Sequence, residues 1–220
     1  IPEAEKLNQS RMTYELSGCW GCHNTAGYED KRNRGPSLKQ IAHKTDRDFV
    51  ARWVRDPKTF RQSTWMPRFW DLENNPDSEL KARNDTEVAA VVEYVFEHST
   101  DDADYAAPPR GNAERGEALV SEIGCLGCHL IDENGYDQAS IYRRRGPALI
   151  GTGTKLDAGF VFEWVRNPRH YWEQTYMPDL RLTDQEAADI TAWLMGRESA
   201  EFAATEVPQV DGGQLDEITR

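Results

Sequence analysis

All four cysteines of this chain lie in two short stretches, and each stretch ends in a histidine. The first is Cys19-Trp20-Gly21-Cys22-His23, and the second is Cys125-Leu126-Gly127-Cys128-His129. A c-type haem is attached at this C-x-x-C-H pattern, because the two thiols add to the porphyrin vinyl groups and the adjacent histidine reaches the iron. Two complete patterns predict two covalently bound haem c groups, and they leave no thiol for a disulfide.

Two other kinds of site use C-x-x-C pairs. An all-cysteine zinc centre would combine both pairs, but the pairs lie 106 residues apart, and zinc does not explain the histidine after each pair. A thioredoxin-like dithiol needs a βαβ context, and no strand pattern surrounds either pair. Haem attachment is therefore the favoured interpretation.

Composition and charge limit the possible partners. Of the 220 residues only 38% are hydrophobic, which is modest for a globular protein, but a haem in each half would supply a large apolar body for a small core. The net charge of −12 argues against a nucleic-acid partner. No run approaches the roughly 20 apolar residues that span a bilayer, so we predict no transmembrane segment in this chain.

The two halves of the chain repeat one another. Around the cysteines the shift between them is 106 residues, and from Arg34-Gly35-Pro36 and Arg145-Gly146-Pro147 onward it is 111. Thr64-Trp65-Met66-Pro67 then aligns with Thr175-Tyr176-Met177-Pro178. So many matched positions indicate a duplication.

The repeat predicts the domain boundaries. Residues 1–106 form an N-terminal domain and residues 107–200 a C-terminal domain, joined by a charged and proline-containing linker. Residues 201–220 carry five acidic side chains against Arg220 and follow the last repeated helix. We predict that they form an acidic C-terminal tail.

Each half predicts the same series of helices, so we expect an all-α fold. A helix precedes each cysteine pair, over residues 4–16 and 114–123. The middle helix carries Phe49, Val50, Trp53 and Val54 at helical spacing, and Pro57 or its counterpart Pro168 ends it.

The last helix of each half begins with a capping-box pattern. The patterns are Asn84-x-x-Glu87 and Thr183-x-x-Glu186, and Gly196 is expected to end the second of these helices. The first half has twelve extra residues within 68–85, rich in Asn, Asp, Glu and Pro, which predict a surface loop. The second half has five extra residues within 130–144.

These motifs resemble those of class I c-type cytochromes, and the whole chain is similar to their tandem two-haem relatives. The resemblance covers residues 5–198 and includes C-x-x-C-H, Gly-Pro-x-Leu, an aromatic helix ending in Asp-Pro or Asn-Pro, and Met-Pro. It implies two small helical domains, each folded around one covalent haem. It also implies that the iron ligands are His23 with Met66 and His129 with Met177.

The same resemblance implies further cofactor-binding residues in each half. The carbonyl oxygens of Pro36 and Pro147 accept the second ring proton of the histidines. Trp53 and Trp164 lie beside the methionine sulfur atoms, and Thr64 and Thr175 lie near a haem propionate. Packing in the core is an alternative for the tryptophans, and the two roles are compatible.

The methionine ligands also have support from the residues themselves. Of four methionines, Met66 and Met177 align and are each followed by proline, which restricts the preceding backbone to extended conformations. A buried methionine that fills a gap in the core is the alternative.

Other side chains have weaker claims to a role at the haem. The histidines that do not align with another histidine are expected at the surface: His43, His98 and His170. The arginines before the Gly-Pro turns have three open roles, which are pairing with a haem propionate, forming a docking surface and plain solvation: Arg32, Arg34, Arg143 and Arg145.

A six-coordinate iron with histidine and methionine ligands has no open position for a substrate. We therefore expect an electron carrier between respiratory redox partners and no catalytic residue. The alternatives are a dihaem enzyme of peroxidase or thiosulfate-oxidising type, and the cytochrome subunit of a membrane oxidoreductase complex. A structural or haem-storage module has no positive feature in the sequence.

The cofactor also predicts the compartment. Haem attachment of this type takes place outside the bacterial cytoplasmic membrane, so we expect the periplasm or the outer face of that membrane, with a signal or anchor segment removed. The expected partners are redox proteins, which include a membrane-bound oxidoreductase among the candidates. The sequence names neither the electron donor nor the acceptor.

Overall fold

The structure is a computed structural model that describes residues 5–23, 25–28, 35–72, 78–100, 105–132 and 146–207. It is helical, and these residues contain no β-strand. The chain divides into two compact units, which are described one at a time. Unit 1 comprises Ile1–Ala103 with Ala204–Arg220, and unit 2 comprises Asp104–Ala203. The helical character agrees with the fold class predicted from the sequence.

Unit 1 is built on its longest helix. Its helices are α1 (Glu5–Leu16), α2 (Arg47–Arg55), α3 (Pro57–Phe60) and α4 (Ser78–Glu97), with 3₁₀ turns at Cys19–Gly21 and Ile41–His43. Helices α1 and α2 both pack against α4. The side chains buried between them are Tyr14, Phe49, Val50, Val54, Val88, Val91, Tyr94 and Val95. The apolar face of α4 is therefore buried.

The described residues of unit 2 contain six helices, four of which correspond to those of unit 1. They are α5 (Ala113–Glu122), α6 (Thr152–Lys155), α7 (Ala158–Arg166), α8 (Pro168–Tyr171), α9 (Asp184–Met195) and α10 (Ala200–Ala203), with a 3₁₀ turn at Cys125–Gly127. Helix α9 packs against α5, α6 and α7. Its buried residues include Ala187, Ile190, Trp193 and Leu194. Phe202, which lies in the predicted tail, is buried in α10.

Prolines separate the middle helices as the sequence predicts. Helix α2 ends at Arg55, and Pro57 is the first residue of α3. In unit 2, α7 ends at Arg166, and Pro168 begins α8. Proline has no N–H to donate, but it fits the first helical position because that N–H has no partner there.

One of the two predicted capping boxes is present. The Thr183 hydroxyl accepts from the amide of Glu186, and the Glu186 carboxylate accepts from the amide of Thr183 at 2.9 Å. The box predicted at Asn84 is wrong, because α4 already begins at Ser78. The Asn84 side chain instead donates to Asp71 at 2.8 Å. Leu80 to Arg83 are good helix formers, and they extend α4 toward its N-terminus by more than a turn.

The surface loop predicted over residues 68–85 is also wrong in part. Residues 78–85 are helical, and Trp70 is buried, with its indole N–H donating to Glu87 at 3.0 Å. Asp71 binds Arg55 at 2.7 Å. Residues 73–77 lie outside the described residues, as do 133–145, which contain most of the second insertion.

Helices α5 and α9 approach each other very closely. A Cβ atom added to Gly116 would lie 2.0 Å from the carbonyl oxygen of Asp189, so only glycine fits at this position. The carboxylate of Asp189 is buried and accepts from the amide of Asn112, the residue before α5, at 2.8 Å. That hydrogen bond lowers the pKa of Asp189. The crossing therefore combines backbone contact with a charge-assisted hydrogen bond.

We predict that Gly116→Ala destabilises unit 2. The added methyl group must push α5 and α9 apart, which costs roughly 1–3 kcal/mol in a well-packed core. Chemical denaturation of the variant and of an exposed control on the same helix, Glu117→Ala, measures the difference. Equal unfolding midpoints for the two variants would contradict the close crossing.

Candidate functional site

The histidine of each C-x-x-C-H motif is held by a proline carbonyl. Nδ1 of His23 lies 2.8 Å from the carbonyl oxygen of Pro36, and Nδ1 of His129 lies 2.7 Å from that of Pro147. A carbonyl can only accept, so Nδ1 carries a proton, and in the neutral imidazole Nε2 then keeps its lone pair. This is the tautomer that a metal-binding histidine needs when Nε2 is the ligand atom.

A glycine lies against each of these imidazole rings. A Cβ atom on Gly35 would lie 2.4 Å from Cε1 of His23, and a Cβ atom on Gly146 would lie 2.5 Å from Cε1 of His129. The amide of Gly35 also donates to the carbonyl oxygen of Cys22 at 2.7 Å. The sequence analysis noted the Gly-Pro pair in both halves but did not assign this role to glycine. Its repetition in both halves was the available signal.

The cysteines lie on short 3₁₀ turns that follow a left-handed glycine. Gly18 has φ +71° and Gly124 has φ +94°, a region that favours glycine. Cys19 is half-buried and Cys22 is exposed. Burial raises the pKa of the Cys19 thiol to about 11, and burial lowers the pKa of His23. At neutral pH the unattached site would therefore contain a protonated Cys19 and a neutral imidazole.

The two aligned methionines are held by aligned tryptophans. Nε1 of Trp53 donates to the sulfur of Met66 at 2.8 Å, and Nε1 of Trp164 donates to the sulfur of Met177 at 2.9 Å. An N–H···S hydrogen bond uses one sulfur lone pair and leaves the other available. Each tryptophan therefore lies beside the methionine sulfur and orients it.

The two aligned threonines form hydrogen bonds with the backbone at Met66 and Met177. The hydroxyl of Thr64 accepts from the amide of Met66 at 3.2 Å, and that of Thr175 accepts from the amide of Met177 at 3.2 Å. These local turns fix the backbone position from which each methionine side chain extends. The predicted contact with a haem propionate stays a prediction.

Two aromatic rings pack against each tryptophan. In unit 1 the rings of Phe49 and Phe60 lie 6.1 and 5.8 Å from Trp53, between centroids. In unit 2 the aligned rings of Phe160 and Tyr171 lie 5.8 and 5.7 Å from Trp164. The tryptophans thus pack in the core and also contact the sulfur.

The remaining histidines have other contacts. His43 lies 3.1 Å from the carbonyl oxygen of Thr100 and is half-buried. His98, also half-buried, stacks on Tyr94 with centroids 4.1 Å apart. His170 is exposed. We predicted that these histidines lie at the surface, but His43 and His98 are only partly exposed. The four arginines named for propionate pairing or docking, at positions 32, 34, 143 and 145, lie outside the described residues.

One partly buried cation was missed by the sequence analysis. Burial lowers the pKa of Lys44 to about 8, and Lys44 contributes to the lowered pKa of His23. Lys155 aligns with it at the shift of 111 residues. The alignment of Lys44 with Lys155 was the signal that could have identified these two lysines.

The residues of each unit fit a covalently attached haem. Two thiols and a histidine come from one turn, the Nδ1 of the histidine faces a proline carbonyl, and a methionine sulfur is held by an indole. Residues 113–198 match the family model described as Cytochrome c. No curated protein matches the chain. The match supports a c-type cytochrome with covalently bound haem c and an electron-transfer role.

The match also bears on location. Cytochrome c domains are typically extracytoplasmic. Among the residues that the structure describes, no helix has the length and apolar character needed to cross a membrane.

We predict that two variants separate ligation from orientation in unit 2. Met177→Ala removes the sulfur and should abolish the far-red sulfur-to-iron band of that haem. Trp164→Phe keeps the sulfur but removes the N–H donor, so the band should persist. The loss of one hydrogen bond, about 1 kcal/mol, should lower the potential by some tens of millivolts, since about 59 mV corresponds to a tenfold change for one electron.

Trp53→Phe is the matched control, because it should change only the haem of unit 1. Spectra and redox titrations of the three variants provide the measurement. An unchanged far-red band in Met177→Ala would show that Met177 is not a ligand.

Proposed function

We propose that this chain is a tandem dihaem cytochrome c that passes electrons between redox partner proteins. One observation carries the proposal: the contacts of the histidine and of the methionine recur in both units with nearly equal distances. Each unit has the His–Pro hydrogen bond, the glycine against the imidazole, the Trp–Met hydrogen bond and the Thr–Met turn. Two sites built alike support two haems of the same kind.

The residues that would hold the cofactor divide into thioether and ligand positions. Cys19 and Cys22 with ligands His23 and Met66 serve unit 1, and unit 2 has the aligned set Cys125, Cys128, His129 and Met177. Haem c, when bound, supplies the one-electron Fe(III)/Fe(II) couple. The protein holds the imidazole in the tautomer required for binding, orients the sulfur, and surrounds the site with aromatic side chains that exclude water.

The two methionine sites favour a carrier over an enzyme. A peroxidase or a thiosulfate-oxidising cytochrome needs an iron with an open or displaceable position. Here the indole N–H and the threonine hydroxyl hold both methionines, so both irons would be closed. The cytochrome subunit of a membrane oxidoreductase complex uses the same electron-transfer chemistry and stays an alternative.

The setting follows from the cofactor. Haem c is attached outside the bacterial cytoplasmic membrane, so we place this protein in the periplasm or on the outer face of that membrane. Its partners are a respiratory electron donor and acceptor. With one haem in each domain, electrons enter at one haem and leave from the other.

We predict that the reduced protein binds carbon monoxide poorly at neutral pH, because methionine closes each iron. Met177→Ala should open one site and bind about one carbon monoxide per chain, whereas wild type should bind almost none on the same time scale. Optical titration measures this binding, and peroxide and thiosulfate turnover are assayed alongside it. Rapid stoichiometric binding by the native protein, together with turnover, would support the enzyme alternative instead.

A further inference from the structure

The helix that carries the tryptophan ends in an arginine in both units, and the two arginines have one kind of partner in common. Arg55 is the last residue of α2, and Arg166 is the last residue of α7. Arg55 forms an ion pair with Asp85 of α4 at 2.6 Å, and Arg166 forms one with Asp184 of α9 at 3.2 Å. In each unit this ion pair ties the tryptophan helix to the last helix.

The second partner of the arginine differs between the units. Nε of Arg55 donates to the carboxylate of Asp71, five residues after Met66, at 2.7 Å. Arg166 instead binds Glu163 of its own helix at 2.9 Å. Among the described residues, this arginine therefore reaches the segment after the methionine in unit 1 and does not reach it in unit 2.

Arg68 adds further contacts to the segment that follows Met66. Its Nε and Nη2 donate to the carbonyl oxygens of Trp70 and Asp71 at 2.9 and 3.1 Å. Its Nη1 lies 3.2 Å from the carboxylate of Asp56, the residue between α2 and α3. The segment after the methionine is therefore tied back to the junction of the two helices that precede the methionine.

Asp71 is held in a left-handed backbone conformation. Its φ of +55° is uncommon for a residue other than glycine, and such a conformation persists where its neighbours determine it. Asn84 of α4 donates to the carboxylate at 2.8 Å, in addition to Arg55. Burial acts to raise the pKa of Asp71, but the hydrogen bonds from Asn84 and Arg55 outweigh it and lower the pKa below its ordinary value. The carboxylate is therefore charged at neutral pH.

The corresponding segment of unit 2 lacks these contacts. Asp179 aligns with Arg68 at the shift of 111 residues, so the charge at this position is reversed. The carboxylate of Asp179 accepts from the amide of Arg181, only two residues later, at 2.8 Å. In the part of unit 2 that the structure describes, no ion pair joins residues 178–182 to α7 or α9.

We propose that a clamp of three residues keeps Met66 in place as the ligand of its haem: Arg55, Arg68 and Asp71. Met177 lacks these contacts among the described residues, and it is the ligand that a competing donor displaces first. The inference rests on the proposed function, since it takes both methionines as iron ligands.

The physical reason is the cost of opening the segment. A methionine dissociates only if its segment moves, and local opening costs more free energy where more tertiary contacts must break. Methionine ligation raises the reduction potential of a haem. The haem of unit 2 is therefore the one whose potential responds to ligand exchange, whereas the haem of unit 1 keeps a constant ligand set.

The test is an imidazole titration of the oxidised full-length holoprotein. Imidazole is a neutral nitrogen donor that binds iron and competes with the methionine. Each methionine ligand gives its own shifted ε-methyl NMR signal, and the variants Met66→Ala and Met177→Ala assign the two signals. In the wild type the Met177 signal should disappear at an imidazole concentration about tenfold lower than the Met66 signal, because charge-assisted hydrogen bonds must break only in unit 1.

Two variants remove the clamp without changing a ligand. Asp71→Asn keeps the shape and tolerates the left-handed backbone but loses the charge, and Arg68→Ala removes all contacts of the guanidinium. Each should lower the imidazole concentration that displaces Met66 by about tenfold and leave that for Met177 unchanged. Asp179→Asn is the matched control, because it alters the aligned position of unit 2, keeps an acceptor for the nearby amide, and should change neither concentration.

Unfolding midpoints measured alongside separate loss of the clamp from loss of the fold, since an unfolded unit 1 would lack the Met66 signal before imidazole is added. The clamp is wrong if the wild type loses both signals at one imidazole concentration, or loses the Met66 signal first. It is also wrong if both clamp variants fold and release Met66 at the wild-type concentration. Failure of the proposed function looks different, because the folded wild type would then lack one methyl signal without any imidazole.

Discussion

The hydrogen bond between the imidazole Nδ1 and a proline carbonyl oxygen is the interaction on which each unit depends. It determines the tautomer, and it determines which nitrogen is left for a metal. The bond requires the segment that carries Pro36 to lie directly against His23, and Gly35 allows this because no side chain intervenes. A neutral imidazole, favoured by burial, completes the arrangement.

The helices position the tryptophan and the methionine of each unit. Helices α2 and α7 carry the tryptophans, and the prolines that follow begin the short helices α3 and α8. The segments that contain Met66 and Met177 follow these short helices. The indole N–H then reaches the sulfur thirteen residues later in both units. The same hydrogen bond between a tryptophan and a methionine therefore recurs in both units.

Local patterns predicted much of this structure. The helix ends before Pro57 and Pro168 and the capping box at Thr183 depend on neighbours in sequence, and they are present. The beginning of α4 was mispredicted because Asn84 binds Asp71, a partner thirteen residues away, instead of capping a helix. The contact of Gly35 with His23 and the buried Asp189 at the helix crossing likewise depend on distant neighbours.

The intact mass of the mature protein tests the central claim, one covalent haem in each unit, most directly. We predict the mass of the polypeptide plus two haem groups. Replacing Cys19 and Cys22 by alanine should remove one haem, and replacing Cys125 and Cys128 should remove the other. A wild-type protein with a single haem, or with zinc in place of haem, would contradict the account.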